Sequence, residues 1–217
     1  MGQVNLHIAV NLVPSKLSSF RFMIKYYLIN NELDIDSEFN KTIDDQINES
    51  DGTSIKVSWS GLTQQENLVD IIVDRWNFFI ETGKFTFIDK QQGITEVKFD
   101  NGFFHSKTFN SHGGIIAERK ELNKWDFGRY HILRYHLVQD LKDKLQNLDF
   151  LDLDSLAIEY RIDKGFLIDF IYSFINKNLV EISSDQSGSL LRVKSNLEQI
   201  LNQLNESINK MEMDLVA

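Results

Sequence analysis

Hydrophobic and polar positions alternate at the start of the chain and then change period. Val4, Leu6, Ile8, Val10 and Leu12 interleave with Asn5, His7, Ala9 and Asn11, the spacing of a strand with one buried and one wetter face, and Pro14 ends it. From Ser18 or Ser19 to about Asn30 the run FRFMIKYYLI is apolar on nearly every side, which predicts a helix held between other elements. Ile55, Val57 and Trp59 return to strand spacing, and Gly61 is expected to break it. Thr63 and Glu66 form a capping box ahead of Leu68, Ile71, Ile72, Trp76 and Phe79, an amphipathic helix expected to end near Gly83. Phe85 with Phe87, Val97 with Phe99, and then Phe103 suggest three strands, with Asn101-Gly102 as a hairpin turn. Residues 1–115 therefore predict an α+β domain with antiparallel strands.

The last third is patterned differently. Asp154 or Ser155 can cap a short helix carrying Leu156, Ala157 and Tyr160. After Ile162 and Asp163, the apolar pairs Phe166-Leu167, Phe170-Ile171 and Phe174-Ile175 repeat every four residues, and Asn178 stands where a left-handed residue could close that helix. Val180 to Ile182 and Leu190 to Val193 are two strands around the turn residues 185–188. Ser195 and Glu198 form a further capping box, after which Leu197, Leu201, Leu204, Ile208, Met211 and Leu215 step by fours and threes as a heptad-like seam.

Helix, turn, helix and two-stranded wing resemble the winged helix-turn-helix superfamily over roughly residues 130–195, with the segment Asp149 to Leu153 fitting its short first strand. The resemblance implies one of two uses, reading DNA with the second helix of the motif or packing against other proteins. It also divides the chain into 1–115, a connector and winged-helix domain at 116–195, and a C-terminal assembly helix at 196–217.

Charge bears on that choice. The chain has 217 residues, a formal net charge of −9, 42% hydrophobic residues and no cysteine. Such a composition suits a folded core, argues against a generally nucleic-acid-coating or membrane-coating protein, and excludes disulfides and thiol chemistry. No apolar run approaches a membrane span and no secretory leader is legible, so the expected location is the cytoplasm, without membrane contact. Residues 32–51 hold eight acids against Lys41 alone, a solvated acidic stretch rather than a calcium loop. Residues 137–217 hold 14 acids against 8 bases, the wrong sign for neutralising phosphates.

Three groups of residues carry candidate chemistry. Glu66, Asp89, Glu96 and Lys98 occur in an order that resembles the PD-(D/E)xK nucleases, whose acids hold a divalent metal while the lysine polarises water; Glu-x-Lys is also the ordinary dress of a solvated strand. Arg119, Lys120, Lys124, Arg129 and Arg134, interleaved with aromatics, are the place where nucleic acid would be touched if it is touched anywhere, and they equally suit snorkelling over a core. The seam from Leu197 to Leu215 predicts a protein partner or a homodimer. His131 and His136 do not share a helix face, and no cofactor or metal site is expected.

The reading that joins these is a non-catalytic accessory subunit of a multiprotein complex. Similar winged-helix subunits accompany ATPases of the structural-maintenance-of-chromosomes type in chromosome handling and phage defence. Two alternatives stand beside it, a dimeric winged-helix transcription regulator and the metal-dependent nuclease.

Overall fold

In a computed structural model of the chain, which describes residues 2–30, 42, 45–46, 52–63, 68–90, 93–100, 102–122, 130–148, 150–160, 162–185, 188–194 and 196–215, the alternating start becomes an inner strand of a sheet. The chain is mixed α+β and divides into two compact units, Met1–Gly128 and Arg129–Ala217. No described helix is long and apolar enough to cross a membrane. Most of the acidic stretch 32–51, together with Glu66 of the first capping box, Asn101 of the hairpin turn, Lys124, Arg129, and Ser195 of the last capping box, lies outside the described residues.

In the first unit, β1 (Gly2–Leu12) passes through one turn of 3-10 helix at Pro14–Lys16 into α1 (Leu17–Asn30). Then come β2 (Ser54–Thr63), α2 (Leu68–Trp76), β3 (Ile80–Asp89), β4 (Gly93–Asp100), β5 (Phe103–Phe109) and β6 (Ile115–Leu122). The six strands form one antiparallel sheet in the order β2-β1-β3-β4-β5-β6. One face of it is apolar because every second residue of β1 to β4 is, and Leu6, Ile8, Val57, Phe85, Val97 and Phe104 are all buried there. Both helices lie on that face. Phe20 of α1 meets Trp76 of α2 edge-on at 5.0 Å between ring centroids, Trp76 meets Phe85 of β3 at 5.7 Å, and Phe85 meets Phe99 of β4 at 4.9 Å. Each such buried ring stabilises by about 1.5–3 kcal/mol through area alone, and the ring pairs add roughly 0.5–1.5 kcal/mol.

Two glycines taken as breaks are not breaks. β2 runs on through Gly61, where a Cβ would stand 2.2 Å from the Trp59 ring; the missing side chain makes room for the indole. Gly83 lies inside β3 with φ +140°, and a Cβ there would come within 2.5 Å of the Ala9 carbonyl oxygen of β1. The helix expected to reach it stops at Trp76, and Phe79 turns into the core as part of the link to β3. Arg119 and Lys120, placed by the sequence in the connector that follows residue 115, lie on strand β6, and the first compact unit runs on to Gly128.

The second unit begins with α3 (Tyr130–Asn147), followed by β7 (Phe150–Asp152), α4 (Leu153–Tyr160), α5 (Lys164–Tyr172), β8 (Val180–Asp185), β9 (Gly188–Val193) and α6 (Leu197–Asp214). Its sheet has the order β7-β9-β8, antiparallel throughout. The cap of α4 is Asp152, whose carboxylate accepts the N–H groups of Asp154 and Ser155 at 3.0 and 3.1 Å. Asp154, expected to cap, instead accepts from Lys164 Nζ at 2.8 Å and from the Ser189 N–H at 2.6 Å, tying α5 to the start of β9. These bonds hold the carboxyls of Asp152 and Asp154 below the usual carboxylate range.

Helix α5 is capped by Asp163, which accepts the Phe166 N–H at 3.1 Å. It ends at Tyr172 and not at Asn178. The Ser173 hydroxyl donates to the Phe170 carbonyl at 2.6 Å, and the Asn178 N–H goes to the Asn176 side chain at 2.9 Å, so local side-chain bonds replace the helical ones. Phe174 and Ile175 reach the core from the turn. Among the described residues the left-handed non-glycine is Asn196, φ 56°, which caps α6 by accepting the Gln199 N–H. Helix α6 belongs to this unit and packs on α3, where the Tyr135 hydroxyl donates to Glu212 at 2.6 Å.

Candidate functional site

The register separates the nuclease-like residues. Asp89 shares the parity of Phe85 and Phe87 and therefore lies on the helix-covered face of the sheet. Glu96 and Lys98 are out of phase with buried Val97 and Phe99 and lie on the opposite face. Glu96 is bound to Lys84 at 2.7 Å. Among the described residues no three acidic or histidine side chains converge as metal ligands do.

A polar cleft of about 310 Å³ does open on the helix-covered face, lined by Asp70, Asp89, Thr95, Ser106, Thr108 and Arg119 among others. Arg119 occupies it electrostatically. Its guanidinium binds Asp74 at 3.0 Å and Asp70 at 3.6 Å and lies 5.0 Å from the centre of the Phe104 ring. An arginine so held ties α2 to β6 and is poorly placed to meet phosphate. Arg134, on α3, sits 4.8 Å over the Phe174 ring in the second unit, the snorkelling arrangement. Within the first unit, Arg119 and Lys120 fall on opposite faces of β6, and Lys120 points outward.

The opposite face of the first sheet gathers different cations. Lys56 pairs with Ala9, Ala9 with Lys84, Lys84 with Lys98, Lys98 with His105, and His105 with Lys120, so one register row crosses all six strands. Like charges placed directly opposite each other weaken a sheet. The acids on this face ease part of that: Lys84 takes Glu96, while His105 Nε2 and Lys107 Nζ reach Glu118 at 2.5 and 3.5 Å and hold its carboxyl below the usual range. Lys56, Lys98 and Lys120 have no ion pair among the described residues. At the β4–β6 end, Lys98, Asp100, Phe103, Phe104, His105 and Lys120 line a groove of about 370 Å³, with Phe103 47% exposed. Sequence reasoning missed this row because its members lie far apart in the chain; the alternation in each strand gives the face, and the register aligns them.

In the second unit, the seam residues part company. Leu204 and Ile208 are buried within their own unit, as is Ile200, which the seam omitted; Leu201, Met211 and Leu215 are half-buried, and Leu197 is 36% exposed. On α5 the outward positions are Gly165, Phe166 and Asp169, with Phe166 45% exposed. Lys164 is bound by Asp154, and Lys177 sits 4.8 Å over the Tyr172 ring. On α4, Ile158 is 76% exposed.

Compared with known protein families, with curated proteins and with solved structures, the chain finds no match in any of the three.

Proposed function

We propose that the second unit is a winged helix-turn-helix used to contact protein, and that the chain is a non-catalytic accessory subunit of a multiprotein assembly. The order helix, strand, helix, helix, strand, strand and the sheet order β7-β9-β8 support the winged-helix assignment. The observation that carries the choice of partner is the outward face of α5, which offers Phe166 and Asp169 and no uncommitted cation. A helix that reads DNA has to approach a lattice of phosphates, and such a face meets it with repulsion. An exposed aromatic beside a lone acid, with Ile158 on the preceding helix, has the composition of an anchor for a protein surface. Winged-helix subunits that accompany ATPases of the structural-maintenance-of-chromosomes type make an ATPase the first partner to look for.

Co-purification of the tagged full chain from its own host tests this. A stoichiometric protein partner is expected, and Phe166→Asp combined with Ile158→Asp is expected to release it while leaving the thermal unfolding curve in place, since both residues are exposed. Tight, sequence-selective duplex binding lost on changing Ser173, Asn176 and Lys177 would make the chain a regulator instead. Magnesium- or manganese-dependent DNA cutting lost in Glu96→Ala would make it a nuclease.

A further inference from the structure

We propose that the open face of the six-stranded sheet binds single-stranded nucleic acid, with phosphates at Lys98 and Lys120 and a base stacked on Phe103. The row lies within the first unit, and the inference stands independently of the protein contact assigned to the second. Neighbouring strands are about 4.8 Å apart, so Lys98 and Lys120, two strands from each other, lie roughly 10 Å apart along the sheet. Lys84 and Lys98 stand directly opposite each other, like charges that weaken the pairing, and an anion laid beside them eases the repulsion. Among the described residues three acids lie on this face: Glu96 and Glu118 are each clasped by its cations, and Asp100 lines the groove with Lys98 and Lys120. Lys98 and Lys120 line the groove and have no ion pair among the described residues.

Phe103 decides the class of polyanion. Its ring is half exposed in the groove that Lys98 and Lys120 also line. Aromatic side chains on a basic sheet bind unpaired bases by stacking, which a duplex cannot offer without opening. An acidic protein would use the lysines and leave Phe103 idle.

The test is fluorescence anisotropy of the full chain with a labelled mixed-sequence DNA single strand of about 20 nucleotides at low salt, with the matching duplex and polyglutamate as competitors. Two engaged lysines imply a slope of log affinity against log salt of roughly −1.4. Lys98→Glu with Lys120→Glu is expected to weaken binding at least about tenfold, and Phe103→Ala about tenfold for the single strand. Lys177→Glu, in the second unit, is expected to change nothing. If the charge-reversed pair fails to fold, Lys98→Gln with Lys120→Gln should remove most of the salt slope. Absence of binding at low salt, indifference to these changes, or a Phe103→Ala variant that binds normally and is displaced equally by polyglutamate would each overturn the proposal.

Discussion

Tyr160 is fully buried in the second unit, where its hydroxyl donates to Asp140 at 3.1 Å and its ring lies 5.5 Å from that of His136. Burial, and then the neighbouring carboxylates of Asp140 and Glu159, push its phenol well above the ordinary tyrosine range. Burial and the bond to Glu212 push Tyr135 in the same direction. The sign of the consequence follows from linkage. Below about pH 10 the phenols are neutral folded and unfolded, and their full contribution is present; above it the unfolded chain ionises first and stability is lost as pH rises. Urea unfolding of the chain should therefore show the second unit weakening from about pH 10 upward. Tyr160→Phe should lower its stability by about 1 kcal/mol at pH 8, the worth of one hydrogen bond, and should flatten the alkaline decline. A decline of unchanged steepness in the variant would assign the titration elsewhere. Sequence alone marks Tyr160 as apolar-face material, since helical spacing shows that a ring is buried but not which carboxylate its hydroxyl meets.

At the scale of elements, helix α6 separates what a pattern shows from what packing decides. Its apolar residues are visible as a seam, but the buried stripe is Ile200, Leu204 and Ile208, every fourth residue, while the seam's first member, Leu197, lies toward solvent and Leu201 is half-buried. A heptad and an amphipathic stripe on a neighbouring helix differ by a small rotation, which only the packing partner α3 fixes. Ile208→Asp is accordingly expected to destabilise the second unit by roughly 3 kcal/mol or more, whereas Leu197→Asp and Met213→Asp should stay within about 0.5 kcal/mol, as measured by thermal unfolding. Equal tolerance of all three would return the helix to a role in assembly. Strands β1 to β5 were legible because one face of each is buried and the other wet. Edge strand β6 was not, since Ile115, Ile116 and Ala117 are followed by four charged residues and nothing in that order alternates. The basic row was illegible for a related reason: its members are single lysines on separate strands, and register is a property of the folded sheet.

As a whole molecule the chain is two cores. Met1–Gly128 and Arg129–Ala217 each bury their own apolar residues, so heating is expected to give two transitions, and residues 129–217 expressed alone should keep the second at its place. A single transition that disappears when the chain is divided would show that the cores depend on each other. The position of β1 between β2 and β3 bears on how the first core comes into being. Val10 is paired with Ile55 and Val4 with Asp89, so β1 must wait for both of its flanking strands. Distant pairings demand closure of large loops before they repay it, and they slow folding. During synthesis the alternating Val, Leu and Ile side chains of β1 leave the ribosome long before the strands that cover them, which makes this segment the part of the nascent chain most in need of a chaperone.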